Sequence, residues 1–514
     1  MKSSIALTLA ILLILSSCAS NHHETSEKMR GYVSANKYQK ALELLKKSDL
    51  AKDENSRLLY LLEVGLLEHY QAHYNESIEA LSSAQDLIEV FYTARVSNKL
   101  KTVITNDSAD VYAGEKYEAS LIYFYLTLNY YMKAQAEVDP VQKRLSLEKA
   151  RAQVLAWDSF LTEIKNERLG QALFKEDLLA KTFGALVHES QGNSQDDQIA
   201  LQLYKDASDV FFKNYNLFPT FNDSYKSFRD NFAIFPQMDL NQVAGQYVLE
   251  TPHNQAFKNF LNMKLITLTN KLKGLKTPNA NITFLVQDGL IVDKVAREYS
   301  IPLDLSTLGG VSYSFGLGNF VSFQLPEVTP APVLDRGTLE AVNDLGQVVG
   351  TSPLSVIAPL GELAEQAINE HSKAIAAKTG ARVLGKYVAA LLTANAIYAS
   401  GSRGKNAGLA LMLATIEYNS AIVAINLSEK ADLRFWSTLP SNIRMGMLNL
   451  PIGHYQFRVV YGEVDTGRVV NLGDQMLTKD HLKFVMNNHE HKSVQRGIAN
   501  VSEPIMVSPE TSDR

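Results

Sequence analysis

The sequence predicts an α+β protein of several domains: an N-terminal α-helical, tetratricopeptide-like solenoid, then an antiparallel-sheet domain carrying a long helical insertion. Three observations predict it. From Met29 to about residue 275 apolar residues recur at helical spacing, with few Gly or Pro residues. Past Thr277-Pro278-Asn279 the pattern changes to strict alternation, the period of a half-buried strand. Within that second half, residues from about Leu354 to Ser428 return to helical composition. A chain of 514 residues that is 46% hydrophobic has ample material for two or three cores.

The first 17 residues have the form of a signal peptide. Lys2 supplies the positive start, and Ile5 to Leu15 form an apolar run too short to span a bilayer. Leu15-Ser16-Ser17-Cys18 then reads as a lipobox, one branched and two small residues before the cysteine. Cys18 is the single cysteine in 514 residues, so no disulfide competes for its thiol. The expected product begins at a lipidated Cys18 carrying diacylglyceryl and an amide-linked acyl chain such as palmitate; several acyl chains anchor a protein firmly. Ala19 stands where aspartate signals inner-membrane retention, so outer-membrane delivery facing the periplasm is expected. Residues 18–28 read as a polar tether. Loss of Lys2 takes the formal charge from -5 to -6, and no basic block points to nucleic acid.

Residues 29–275 carry degenerate repeats. Tetratricopeptide units place small, large and small residues four and then three apart, so that paired helices approach closely. Ala41, Leu45 and Ser48 fit, as do Ser77, Leu81 and Ala84, with Gly65 twelve residues earlier; Ala200, Tyr204 and Ala207 follow Gly184. Stacked pairs of this kind offer a concave face for peptides or partner helices. Tyr117, Tyr123, Tyr125 and Tyr131 are the candidate partner surface, since rings with a polar tip suit interfaces. Packing in the helical core is the expected role for most of the tyrosines here.

In residues 279–490, Ile282, Phe284 and Val286 alternate before an Asp288-Gly289 turn into Leu290-Ile291-Val292. Val321, Phe323 and Leu325 alternate next. Tyr455, Phe457, Val459 and Tyr461 do so again, before Asp465-Thr466-Gly467 turns into Val469-Val470. One antiparallel sheet is expected from these strands, with 491–514 a flexible tail. Within the insertion, Tyr387 to Ser428 carries only Arg403, Lys405 and Glu417 as charges and breaks at Gly401 to Gly404. Tyr387 to Ser402 gives 16 uncharged residues, short of the roughly 20 a membrane span needs. A buried or self-associating helical hairpin is expected over 387–428. Asp432, Arg434, Trp436, Leu439 and Pro440 form a structural cluster, an Asp-Arg pair pinning a buried indole.

The blocks ITFLVQDGLIVDKVAREYSIPL, FVSFQLPEV and ADLRFWSTLPSNIRMGMLNLPIGHYQFRV occur in this order behind a lipobox and helical repeats. With VYAGEKYEASLIYFYLTLNYY in the first half, the chain resembles a little-characterised family of Gram-negative envelope lipoproteins. That family has tetratricopeptide-like helical repeats, and its members are often encoded beside lipoproteins that activate penicillin-binding proteins. The resemblance implies a cell-envelope setting and no particular activity. Its members usually carry an acidic residue before the Asp-Gly turn, where this chain has Gln287.

No phosphate-binding loop, nucleophile elbow or cofactor motif occurs, and no cofactor is expected. Gly316-Leu317-Gly318 lacks the third glycine. His69 with His73, and His481 with His489 and His491, lack further ligands, so no metal site is expected. Three readings remain. A scaffold or adaptor would bind envelope proteins through the repeats, in cell-wall assembly for example, without catalysis. An enzyme acting on cell-wall polymers would need paired carboxylates in a cleft of the second half. A component of an envelope assembly or secretion system is a third reading.

Overall fold

Helix pairs build the first half. The computed structural model describes residues 18–97, 111–165, 177–214, 218, 220, 252–275, 279–302, 320–329, 336–401, 406–428, 430–462, 468–477 and 481–488. In chain order the helices are α1 (Cys18–Ser34), α2 (Tyr38–Lys47), α3 (Arg57–Tyr70), α4 (Tyr74–Ser97), α5 (Lys116–Ala136), α6 (Pro140–Lys165), α7 (Leu178–Glu189), α8 (Ser194–Asn214) and α9 (Pro252–Leu272). Two 3-10 turns, Asp49–Ala51 and Glu54–Ser56, join α2 to α3.

The small–large–small spacing has a direct structural meaning here. A Cβ on Gly65 would lie 2.5 Å from Leu81 Cγ, so α3 and α4 reach their separation only because residue 65 has no side chain. Ser77 Oγ donates to the Gly65 carbonyl across the same contact at 2.5 Å. Ala41, Leu45, Leu81, Ala84, Ala200, Tyr204 and Ala207 are all fully buried. Local signals fix the ends. Asp177 caps α7 by accepting from the Leu179 and Ala180 amides. Glu115 and Glu118 form a reciprocal capping box on α5.

The second half is mixed sheet and helix. β1 (Asn279–Asp288) lies between β10 (His481–Asn488) and β7 (Asn442–Pro451), and β6 (Ser355–Ala358) pairs with the far side of β7. Among the described residues β2 (Lys294–Pro302) pairs only with β3 (Phe320–Val328). The third sheet runs in the order β5 (Val348–Pro353), β4 (Gly337–Val342), β8 (Gly453–Tyr461), β9 (Arg468–Leu477). The two four-stranded sheets share a core in which Ile282, Phe284 and Val286 meet Leu339, Phe457 and Val459. α10 (Leu360–Gly401) and α11 (Ala407–Ser428) pack on each other and against β3.

Several expectations are corrected. The strands form three sheets among the described residues, and β1 pairs with β10 in parallel. Asp288-Gly289 makes no hairpin: β1 takes β7 as its antiparallel neighbour, while β2 leaves to pair with β3. Gly289 supplies a left-handed turn, φ 64°, but the Asp288 carboxylate is buried against Arg444, which fixes the chain beside β7 instead. The helical insertion starts at Leu360, because the β-branched run Val356-Ile357 continues the sheet as β6. Residues 18–28, read as a tether, are helical as the start of α1, whose Met29 and Val33 are buried. The lipobox residues Leu15, Ser16 and Ser17, the segment 491–514, and His489 and His491 lie outside the described residues.

Hydrophobic packing is continuous across the change of pattern at 275–279. One cluster runs from Met29 through the helices to Leu285, Ile291, Val356, Trp436 and Met445.

Candidate functional site

The segment 430–441 has no regular secondary structure, yet Arg434 to Ser441 are buried. Backbone buried without a helix or sheet must find other hydrogen-bond partners, or each unmet group costs about 1–3 kcal/mol. The helical half supplies four of them. Glu118 Oε1 accepts from the Trp436 amide at 2.7 Å. Glu63 Oε1 accepts from the Ser437 amide and hydroxyl, both at 2.7 Å, and Glu63 Oε2 accepts from the Thr438 hydroxyl. Arg30 donates to the Ser437 and Ile291 carbonyls, each at 2.8 Å. Tyr70 donates to the Thr438 carbonyl at 2.9 Å. On the far side Lys294 donates to the Arg434 carbonyl at 3.2 Å, Ile291 N to Leu439 O at 2.8 Å, and Ser441 N to Asp288 O at 2.8 Å. The helices thus hold the segment as a groove holds a peptide, and the peptide belongs to the same chain.

Both carboxylates sit in a dry environment. Burial pushes Glu63 up to about 7, against the opposing pull of its Thr438 and Ser437 donors. Burial also raises Glu118, with Lys294 pulling the other way. Glu118 is further engaged on Oε2 by Tyr112 OH at 2.5 Å and the Glu115 amide at 2.8 Å.

Asp432 and Arg434 form a two-point ion pair, Nη2 to Oδ2 at 2.7 Å and Nε to Oδ1 at 2.9 Å. Arg434 also reaches Ser56 Oγ at 3.2 Å and lies over the Tyr112 ring. Trp436 and Leu439 are fully buried, and Pro440 is buried with them. The Trp436 indole stands beside Tyr125, and its Nε1 has no acceptor among the described residues.

A second buried chain ties Gln287 to the helices. Tyr125 OH donates to Gln287 Oε1 at 2.7 Å. Gln287 Nε2 faces His69 Nε2 at 3.0 Å, and His69 Nδ1 faces Asn129 Oδ1 at 2.6 Å. Asn129 Nδ2 donates to Ser77 Oγ at 2.7 Å. Donors and acceptors agree along this chain when His69 is neutral with its proton on Nδ1. An ionised carboxylate at 287 could only accept and so could not donate to His69 Nε2 in that state; the amide can.

These contacts correct the expectation of a tyrosine-lined partner surface. Tyr117, Tyr123, Tyr125 and Tyr131 are 1%, 4%, 0% and 3% exposed. α5 carries them between α4, α6 and the second half, so from Tyr117 to Asn129 every face of this helix meets protein. His69, considered as half of a metal pair, is likewise buried in the Gln287 chain. No family model, curated protein or solved structure matches the chain. Among the described residues no cluster of three or more His, Cys, Asp or Glu side chains is placed to hold a metal ion. A cavity of about 20 Å³ between Tyr117, Asp177, Phe218 and Leu360 has room for about one water molecule.

Sequence reading missed Arg30, Glu63 and Glu118. The signal was present for the two acids. Glu63 interrupts the apolar run LLYLLEVGLL and Glu118 precedes SLIYFYL, and a lone carboxylate on a helix that is apolar all round is buried only with a partner. The partner, 318 residues away for Glu118, has no local trace.

Proposed function

We propose that the protein is a non-catalytic scaffold of the bacterial envelope, tethered to the outer membrane through lipid on Cys18 and facing the periplasm, which engages other proteins through the helical pair α10–α11. In this reading the first half is a tetratricopeptide-like solenoid that acts as a mount. In the same reading the segment 434–441 takes the face such a solenoid would offer to partners, and the hydrogen bonds from the helices to that segment are the observation that carries the proposal. The surface left for partners is elsewhere. α11 is long and apolar enough to cross a membrane, yet only 22% of its apolar window is buried. An exposed apolar surface of this extent marks an interaction site. The resemblance to envelope lipoproteins supports the setting. The competing reading, an enzyme acting on cell-wall polymers, calls for carboxylates open to substrate; Glu63 and Glu118 are committed to backbone amides.

The test is site-specific photo-crosslinking in whole cells. A crosslinker at Leu392 or Met412 is expected to give discrete protein adducts that vanish when Leu409 and Ile416 are both changed to Glu. Crosslinkers at Tyr117 or Thr438 are expected to give none. Absence of adducts from the helical pair overturns the proposal. So does hydrolysis of peptidoglycan by the purified chain, if one carboxylate substitution abolishes it while the fold is retained.

A further inference from the structure

α1 leaves little slack between Cys18 and the body of the protein. The helix runs from Cys18 to Ser34 without a break. On its exposed side Glu24 and Lys28, one turn apart, pair at 2.6 Å. Its other side is pinned along its length. His22 Nε2 stands 3.7 Å from Asp53 Oδ2, and Asp49, Asp432 and Arg434 lie close enough to act on the charge of the ring. Met29 and Val33 are buried, and α1 packs on α2 and on the Asp49–Ala51 turn. Arg30 lies over the Phe435 ring and donates to the Ser437 and Ile291 carbonyls, which ties the helix to the second half as well.

From this continuity we infer that α1 is a strut: it holds the end of the molecule built by its own first turns, the link 49–57 and the Asp432–Arg434 pair against the phospholipid surface that carries the lipid on Cys18. This rests on the reading of Cys18 as the lipidated residue. Magnitudes separate a strut from a flexible tether. From Cys18 to the docked His22 a helix climbs about 6 Å. Residues 18–28 as an extended tether would reach about 37 Å. The docked helix therefore keeps this end within about one helical turn of the bilayer surface, where a tether would let the whole body swing away.

Charge does not supply this posture. The end carries Asp49, Asp53, Glu54 and Asp432 against Lys52, Arg57 and Arg434, which is close to balance. Membrane attraction of the electrostatic kind needs a cluster of basic residues. The hold comes from α1 itself and is therefore independent of ionic strength.

The experiment uses the chain from residue 18, made without its signal, with its one thiol, Cys18, coupled to maleimide-bearing phosphatidylethanolamine in phosphatidylcholine vesicles. A donor dye on an azide-bearing residue at exposed position 54 reports energy transfer to acceptor dyes in the lipid headgroups. Transfer is expected to be high. It should fall severalfold when about twenty Gly and Ser residues, spanning roughly 25 Å as a coil, are inserted between Ser20 and Asn21. Raised salt or added phosphatidylglycerol should leave it unchanged. The insertion precedes the docked residues, so an unchanged circular dichroism spectrum shows that the fold is kept. His22→Ala with Asp53→Ala frees the first turn and is expected to give a smaller fall. Equal transfer with and without the insertion overturns the inference. So does stronger transfer from a dye at exposed Val138, because α5 starts beside the link, where the Tyr112 amide donates to Asn55 O at 2.7 Å, and carries Val138 about 30 Å away. Attachment here is chemical, so such a failure concerns α1 alone, whereas Cys18 found without lipid in cells removes the reading on which the inference rests.

Discussion

Glu63 is the most informative single perturbation, because it joins the two halves and titrates near neutrality. Its carboxyl rises from an ordinary 4.5 to about 7 in the folded chain, chiefly through burial. A raised acid favours folding while it is protonated. That contribution is complete below about 4.5 and is lost as pH climbs to about 7, after which it stays lost. The difference corresponds to about 3 kcal/mol. In Glu63→Gln the side-chain oxygen can still accept from Ser437, and the amide can donate to the Thr438 hydroxyl. This variant is therefore expected to fold and to lack the dependence. Urea unfolding at pH 4.5 and 7.5 should show the natural chain losing about 3 kcal/mol more than Glu63→Gln between those pH values. Glu63→Leu strands the Ser437 amide and two hydroxyls in a dry site and should cost about 3 kcal/mol or more at both pH values. The chain's two tryptophans, Trp157 and Trp436, both lie in this core, so fluorescence reports on the joint directly. Superimposable pH profiles for the natural chain and Glu63→Gln would refute the reasoning: Glu63 would then be hydrated or ionised throughout.

Trp436→Ala removes a fully buried indole and is expected to cost about 3–5 kcal/mol. Trp436→Phe, which also removes an N–H that has no acceptor among the described residues, should cost far less by the same unfolding assay. Gly65→Ala drives a methyl group to within 2.5 Å of Leu81 Cγ and should destabilise by about 1–3 kcal/mol, with Leu81→Ala partly compensating in a double-mutant cycle. Cys18→Ala should leave an unlipidated precursor; normal processing and outer-membrane fractionation of that variant would defeat the lipobox assignment.

Local pattern carried much of the architecture. The seven-residue and twelve-residue spacings around Ser77 and Gly65 describe a contact between adjacent helices, so they are written within one short stretch of chain. Alternation at Ile282, Phe284 and Val286 and at Phe457 and Val459 likewise reflects one sheet face against a core. Tyr387 to Ser428 could be read as a helical hairpin because its composition and its glycine break are local. Other features were decided only when the chain closed on itself. β4 and β5 carry Gly, Thr, Ser and Pro, and become strands through pairing with each other and with β8. The parallel match of β1 with β10 joins residues some two hundred apart, and no hairpin signal marks such a pair. The placement of the tyrosines of α5 is the clearest case. The sequence offered a helical surface rich in tyrosine, which by composition suits either a core or an interface. The choice fell to the segment 434–441, whose buried, irregular backbone needed donors and acceptors and found them on Arg30, Glu63, Tyr70 and Glu118. Hydrogen-bond satisfaction of a buried loop is a property of the whole fold, and no window of the sequence contains both the groups that need partners and the groups that provide them.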